Sequence, residues 1–130
     1  MNYKIFERAI ALAKTMKGDI SQRYTVFSFI YRKNQIYAVG GNDMTKTHTA
    51  AYYNNYEYPY LHSELAAIRA FKDIDNSYRY NFLNIRLDRS GKLRNSMPCK
   101  YCQSILDLHN FKSLTYSVDN GFTFRYSNEE

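Results

Sequence analysis

The sequence has few of the residues that define several protein classes. Its 130 residues include no tryptophan, two cysteines, two prolines and five glycines. Two cysteines cannot form a disulfide framework, and so little glycine and proline excludes collagen-like and low-complexity disordered chains. Because no run of 18 apolar residues occurs, we expect no membrane-spanning helix and no membrane partner.

The first seventeen residues are also unlike a signal peptide. Glu7 and Arg8 interrupt the stretch that would have to form its apolar centre. The length suits one domain with a core of its own, since domains of 100–150 residues are the commonest. We therefore predict a single domain over residues 1–130 in the reducing cytoplasm.

Positive charge and tyrosine are abundant. Eighteen Lys and Arg against 12 Asp and Glu give a net charge of +6, and 14 Tyr with 8 Phe make 17% of the chain aromatic. Single-stranded nucleic acid is one partner that this composition suits, because its binding proteins combine basic grooves with stacking rings. Tyrosines cluster in residues 52–60, within a predicted long loop over residues 42–61. They suit base stacking, packing within the loop, or a contact in a homo-oligomer.

Hydrophobic periodicity predicts an α/β protein with the order α-β-β-α-β-α-β-β. The predicted helices cover residues 3–16, 62–72 and 99–110, and the predicted strands cover residues 23–32, 36–41, 82–88, 113–118 and 122–126. The turn Asp119-Asn120-Gly121 is too short to contain a crossover helix. The last two strands are therefore predicted to form an antiparallel hairpin.

Four residues at two predicted helix starts carry the candidate chemistry. His62 and Glu64 open one helix, while Cys99 and Cys102 open another and share one face of it. Imidazole and thiolate are zinc ligands, and three protein ligands leave the fourth position to a water whose pKa falls towards about 7. Glu64 is the one carboxylate placed two residues from His62, where it could move protons between that water and a leaving group.

The pair of motifs His62-x-Glu64 and Pro98-Cys99-x-x-Cys102 matches the signature of zinc deaminases, and the sequence resembles the cytidine deaminase superfamily. Two softer features resemble the small deoxycytidylate deaminase-like proteins of phages. They are Gly91-x-Leu93-x-x-Ser96-x-Pro98-Cys99, and Gly41-Asn42 followed by Lys46-Thr47-His48. The resemblance implies a three-layer α/β/α cytidine deaminase-like domain. Its five-stranded mixed sheet would have the strand order 2-1-3-4-5.

The resemblance also implies a reaction. Zn²⁺ would be held by His62, Cys99 and Cys102, and a zinc-bound hydroxide would attack C4 of cytosine in a free nucleoside or nucleotide. Glu64 would carry the proton to N3 and then to the departing amine, which gives uracil and ammonia. The resemblance also implies substrate contacts. The Asn42 side chain would meet the sugar, and the Ser63 amide and the Met97 carbonyl would meet the base. His48, in the predicted loop, would meet a phosphate or the sugar.

Other interpretations stay open from the residues alone. A structural zinc site would need a fourth ligand, for which His48 and His109 are the remaining histidines. The cysteines could be a redox pair or core residues, and Glu64 an ordinary helix-start carboxylate. Two alternative functions are a deaminase acting on cytosine or adenine in single-stranded DNA or RNA, and a catalytically silent zinc-containing nucleotide-binding module.

Overall fold

A computed structural model describes residues 3–17, 25–41, 43–47, 60–61, 63–88 and 90–127. In these ranges the helices are α1 (Tyr3–Lys17), α2 (Ser63–Ala70) and α3 (Lys100–His109), with a 3₁₀ helix at Ile74–Arg79. The strands are β1 (Thr25–Arg32), β2 (Gln35–Gly41), β3 (Asp43–Thr47), β4 (Tyr60–Leu61), β5 (Asn81–Leu87), β6 (Leu93–Arg94), β7 (Ser113–Val118) and β8 (Gly121–Ser127). None of the described helices is both long and apolar enough to cross a bilayer.

The main sheet has the strand order β2-β1-β5-β7-β8. The β5–β7 pair is parallel, and the β1–β2, β1–β5 and β7–β8 pairs are antiparallel. This path confirms the predicted mixed sheet, its strand order and its terminal hairpin. The neighbouring strands β5 and β7 run parallel because α3 joins them in a crossover, whereas β1–β2 and β7–β8 are joined by tight turns and are antiparallel.

Three short strands depart from the predicted five. The predicted loop over residues 42–61 contains two short strands, because Asp43 and Thr47 of β3 pair with Leu61 and Tyr60 of β4. The polar sequence DMTKT of β3 lacks the alternation that marks a strand, so backbone pairing forms it without a side-chain pattern. β6 adds a sixth strand to the main sheet by pairing with the end of β5.

A carboxylate folds the chain between β5 and β6. Asp88 Oδ1 accepts hydrogen bonds from the Ser90 and Lys92 amides at 2.9 and 3.0 Å and from the Ser90 hydroxyl at 2.7 Å. These bonds, the Ser90 hydroxyl first, hold the pKa of Asp88 well below its usual range. Gly91 completes the turn at a φ of 83°, which favours glycine.

Side chains alternate across the sheet and build a core on each face. The core under α1 comprises Ile5, Phe6, Ala9, Ala13, Phe27, Phe29, Tyr31, Leu83, Ile85 and Leu87. The core under α2 and α3 comprises Ile30, Ala38, Ala67, Phe71, Tyr80, Phe82, Leu106, Phe111 and Leu114. Successive side chains of β1 and β5 point to opposite faces, which explains this division. Helices packed on both faces of one sheet confirm the three-layer architecture.

A glycine lets α2 lie directly on β2. A Cβ added to Gly40 would lie 2.3 Å from the Ala67 nitrogen and 2.4 Å from the Ser63 carbonyl oxygen. Both atoms belong to the helix backbone, which cannot swing aside as a flexible side chain can. Gly40 therefore fixes the position of the first turn of α2, which contains Glu64.

Replacing Gly40→Ala is expected to lower the free energy of unfolding by about 3 kcal/mol or more, because overpacking against backbone forces the helix to shift. Gly41→Ala is the matched control, since among the described residues its Cβ would meet only the Phe27 ring at 3.6 Å, an ordinary contact. We expect the control to change the unfolding free energy by less than about 1 kcal/mol in urea titrations. Equal effects of the two substitutions would contradict the close approach.

Candidate active site

The starts of α2 and α3 meet at one end of the sheet. Glu64 is the second residue of α2, Cys99 is the N-cap of α3, and Cys102 lies in the first turn of α3. Glu64 is 5% exposed and Cys102 is fully buried, while Cys99 is partly exposed. The Cys102 thiol contacts both Cys99 and the Glu64 carboxylate, and the Cys102 amide lies 3.5 Å from Cys99 Sγ. The structure thus brings together three of the four residues that the sequence singled out.

The electrostatics of this cluster favour a cation. The hydrogen bond with Cys99 raises the pKa of the Cys102 thiol well above its usual range, and burial and the Glu64 carboxylate raise it further. The Cys102 thiol and the Glu64 carboxylate are both buried here, where unpaired negative charge is costly. A metal ion reverses this effect, because it binds thiolates and displaces their protons.

The donor set fits zinc in its chemistry. Two thiols three residues apart on one helix face are typical of zinc sites. Among the described residues, no group of three or more His, Cys, Asp or Glu side chains forms a complete metal-binding set. The predicted third ligand, His62, lies outside the described residues, as do Asn42 and His48.

Two of the predicted substrate contacts lie in the described part of the chain. Ser63 is 1% exposed at the start of α2, and its hydroxyl donates to Glu64 Oε1 at 2.8 Å. The sequence predicts a role for the Ser63 backbone amide, and the structure shows a contact of its side chain as well. Met97 is 55% exposed just before Pro98 and Cys99, and its amide donates to Asn95 Oδ1 at 2.9 Å.

A network of buried polar side chains beneath Glu64 was missed by sequence analysis. The Ser28 hydroxyl lies 2.8 Å from Ser63 Oγ and also contacts Asn84 Oδ1. Asn84 Nδ2 donates to the Ser96 carbonyl at 2.8 Å. A signal was available, because Ser28 interrupts the apolar run of TVFSFIYR and Asn84 interrupts that of NFLNIRL. A polar residue on a buried strand face needs a hydrogen-bond partner.

The segment before Cys99 is held on several sides. The Ser96 amide donates to the Ser117 carbonyl at 2.9 Å, and Gln103 Nε2 donates to the Pro98 carbonyl at 2.6 Å. The Gln103 amide also donates to the Cys99 carbonyl at 2.8 Å, which closes the first turn of α3. These bonds fix the Met97–Cys99 backbone relative to β7 and α3.

Comparison with solved structures identifies the fold. The cytidine deaminase of Mycobacterium leprae matches with a TM-score of 0.54 at 17% identity, over 95% of this chain and 93% of that one. The dCMP deaminase of cyanophage S-TIM5, in complex with dCMP and dUMP, matches with a TM-score of 0.55 at 16% identity, over 89% of this chain and 82% of that one. The apo form of the same phage enzyme gives a TM-score of 0.52.

The chain therefore has the cytidine deaminase-like fold, which confirms the resemblance drawn from its sequence. Within that class, its structure is similar both to a nucleoside deaminase and to a phage nucleotide deaminase. No protein-family model and no curated protein sequence matches the chain. The likeness thus rests on three-dimensional structure.

The two cysteines should differ in reactivity once metal has been removed by a chelator. Alkylation needs both access and thiolate, and Cys102 is fully buried with a raised pKa, whereas Cys99 is partly exposed. We expect iodoacetamide to modify Cys99 at least about tenfold faster, as followed by peptide mass spectrometry. In urea the two rates should converge. Equal rates in the folded protein would contradict the buried position of Cys102.

Proposed function

We propose that the chain is a zinc-dependent hydrolytic deaminase that converts cytosine to uracil in a free nucleoside or nucleotide. The observation that carries this proposal is the buried Glu64 carboxylate against the Cys102 thiol, where two helices begin. A buried carboxylate is rare unless it is paired, because burial disfavours its charged form. Its place beside two metal-ligand side chains, in a fold shared with deaminases, supports a role in catalysis.

The metal would be held by Cys99, Cys102 and His62. When bound, zinc supplies a Lewis acid that lowers the pKa of a water ligand towards about 7, so that a nucleophile exists at neutral pH. With three protein ligands the fourth position stays open for that chemistry. The fixed geometry of Cys99 and Cys102 on the first turn of α3 supports two of these three assignments.

Glu64 would move the protons of the reaction. Its carboxylate would accept a proton from the attacking water and deliver it to N3 of cytosine. It would then carry the second proton of that water, now on the C4 hydroxyl, to the departing amino group, which leaves the C4 carbonyl of uracil. A C4–O bond forms and the C4–N bond breaks, so that cytosine and water give uracil and ammonia. The hydrogen bond from Ser63 to Glu64 Oε1 holds one carboxylate oxygen in place during these transfers.

Backbone groups near Glu64 would orient the base. The Ser63 amide would meet the base carbonyl, the Met97 carbonyl would accept from the amino group, and Asn42 and His48 would contact the sugar and phosphate. Met97 is exposed and lies two residues before Cys99, which supports its part in this set. Free substrates are proposed because the matched structures are those of a cytidine deaminase and of a dCMP deaminase bound to dCMP and dUMP.

Three further properties belong to the same proposal. The chain would act as a single domain over residues 1–130, in the cytoplasm, and would assemble as a homo-oligomer. Size-exclusion chromatography with light scattering measures the last of these.

Glu64→Gln is expected to reduce ammonia release by at least about a thousandfold, because the amide has the shape of the carboxylate but cannot accept the proton. Zinc content, measured by atomic emission, should stay unchanged. Glu7→Gln is the matched control, since Glu7 is an exposed carboxylate on α1. A fully active Glu64→Gln protein would contradict the proposed role of Glu64.

The substrate class is read from the same assay with a panel of compounds. The panel contains cytidine, deoxycytidine, their phosphates, the adenosine and guanosine counterparts, and a single-stranded oligonucleotide. Turnover of a free cytosine compound by the wild type supports the proposal. Turnover of the oligonucleotide alone, of purines alone, or of nothing by the zinc-loaded protein would overturn it.

A further inference from the structure

A continuous chain of buried polar side chains joins Glu64 to the segment that leads into Cys99. It starts at Glu64 Oε1, which accepts from Ser63, and Ser63 Oγ lies 2.8 Å from Ser28 Oγ. Ser28 contacts Asn84 Oδ1, and Asn84 Nδ2 donates to the Ser96 carbonyl at 2.8 Å. Each of these links crosses from one element to another or to an adjacent residue, so the chain spans α2, β1, β5 and the segment after β6.

Every member of this chain is withdrawn from water. Ser28 is fully buried, Ser63 and Asn84 are each 1% exposed, and Ser96 is 5% exposed. Ser28 and Asn84 are direct Cα partners on β1 and β5, on the sheet face that Ile30 and Phe82 share. Apolar residues at these central positions would avoid the cost of burying polar groups. This pair is bonded to two other segments as well, since Ser28 meets Ser63 at the start of α2 and Asn84 meets Ser96 after β6.

Asn84 has the chemistry that this place requires. Its amide accepts on one oxygen from Ser28 and donates from its nitrogen to Ser96, so one planar group connects two segments that need opposite partners. The Ser96 hydroxyl returns a bond of 2.8 Å to the Asn84 carbonyl, which locks the segment to β5 twice. An aspartate has the same shape but no donor.

We propose that Ser28 and Asn84 are positioning residues that set the geometry between the Glu64 carboxylate and the Ser96–Cys99 backbone. This inference rests on the proposed function, in which Glu64 moves protons and the Met97–Cys99 segment holds substrate and metal. The two halves of the site come from different parts of the chain. The single Ser28 hydroxyl hydrogen is shared between Ser63 Oγ and Asn84 Oδ1, so Ser28 is the point at which the two halves are connected. Catalysis depends steeply on such alignment.

The sheet contains a matched control for this proposal. Ser113 and Asn81 are also direct Cα partners, on β7 and β5, and the Ser113 hydroxyl donates to Asn81 Oδ1 at 2.6 Å. Ser113 is 3% exposed and Asn81 is 4% exposed. The pair therefore has the same chemistry and burial as Ser28 with Asn84. It lies at the start of β5, away from the segment that leads to Cys99.

Ser28→Ala and Ser113→Ala should destabilise the protein to a similar extent, which thermal unfolding measures. Only Ser28→Ala should lower kcat, by about tenfold to a hundredfold, with KM changed less than about threefold, because partners of this kind act on alignment rather than on binding. Ser28→Thr keeps the hydroxyl and should restore most of kcat. If Ser28→Ala fails to fold, Ser63→Ala removes the adjoining link at the buried start of α2 and carries the same expectation.

A double-substitution cycle separates one connected chain from two unrelated contacts. If Ser28 acts through Ser63, the double variant Ser28→Ala/Ser63→Ala should be no worse than one substitution alone. Its kcat should equal that of the less active single variant within about threefold. A kcat that falls by the product of the two single effects would contradict a shared chain. So would a kcat of Ser28→Ala equal to that of Ser113→Ala.

Hydrogen exchange tests the same inference without turnover. Amides of residues 63–67 and 96–103 should exchange faster in Ser28→Ala but not in Ser113→Ala. The reason is that the Ser28 hydroxyl connects these two segments through Ser63 and Asn84, whereas the Ser113 hydroxyl bonds to Asn81. Unchanged exchange, or equal acceleration in both variants, would overturn the inference. A wild type that is inactive on every substrate would instead overturn the proposed function, and the exchange result would still decide whether Ser28 and Asn84 align the two segments.

Discussion

The close approach of α2 to β2 at Gly40 is the constraint on which the site depends. A side chain at that position would collide with the backbone of Ser63 and Ala67. Because the strand has none, the helix lies low enough for Ser63 to meet Ser28 on the neighbouring strand. The same placement presses Glu64 against Cys102 at the start of α3. A helix raised by the width of a methyl group would break both contacts.

The two faces of the sheet differ in what they pack against. One face is covered by an apolar cluster alone, and the other also lies beneath the candidate site. The face under α1 is covered by an apolar cluster, which supplies the hydrophobic stabilisation of a small domain. The opposite face has an apolar cluster as well, but Ser28 and Asn84 interrupt it beneath the site. Buried polar groups at central strand positions cost stability, and proteins concentrate such departures from local rules at functional sites.

Much of this could be predicted from the sequence. The helices, the five long strands and the terminal hairpin have strong periodic or turn patterns, and Asp119-Asn120-Gly121 alone specifies the antiparallel end of the sheet. The strand order came from the resemblance to a family. The meeting of Glu64 with Cys99 and Cys102 followed from the same motifs, since both pairs open helices.

The rest could not be predicted, for physical reasons. β3, β4 and β6 are held by backbone pairing, which leaves no side-chain period to detect. The hydrogen bonds of Asn84 depend on which strand lies beside it and on where the chain returns after β6, and both are set by tertiary structure. The roles of all the candidate site residues stay predictions: Asn42, His48, His62, Ser63, Glu64, Met97, Cys99 and Cys102.

The central claim is that two cysteines and one histidine hold a zinc ion with an open position beside Glu64. X-ray absorption at the zinc edge of the reduced, purified protein tests it most directly. We expect two sulfur neighbours at about 2.3 Å and a shell of nitrogen and oxygen at about 2.0–2.1 Å, with the imidazole signal lost in His62→Ala and kept in His109→Ala. A shell of four sulfurs, or one without sulfur, would contradict it.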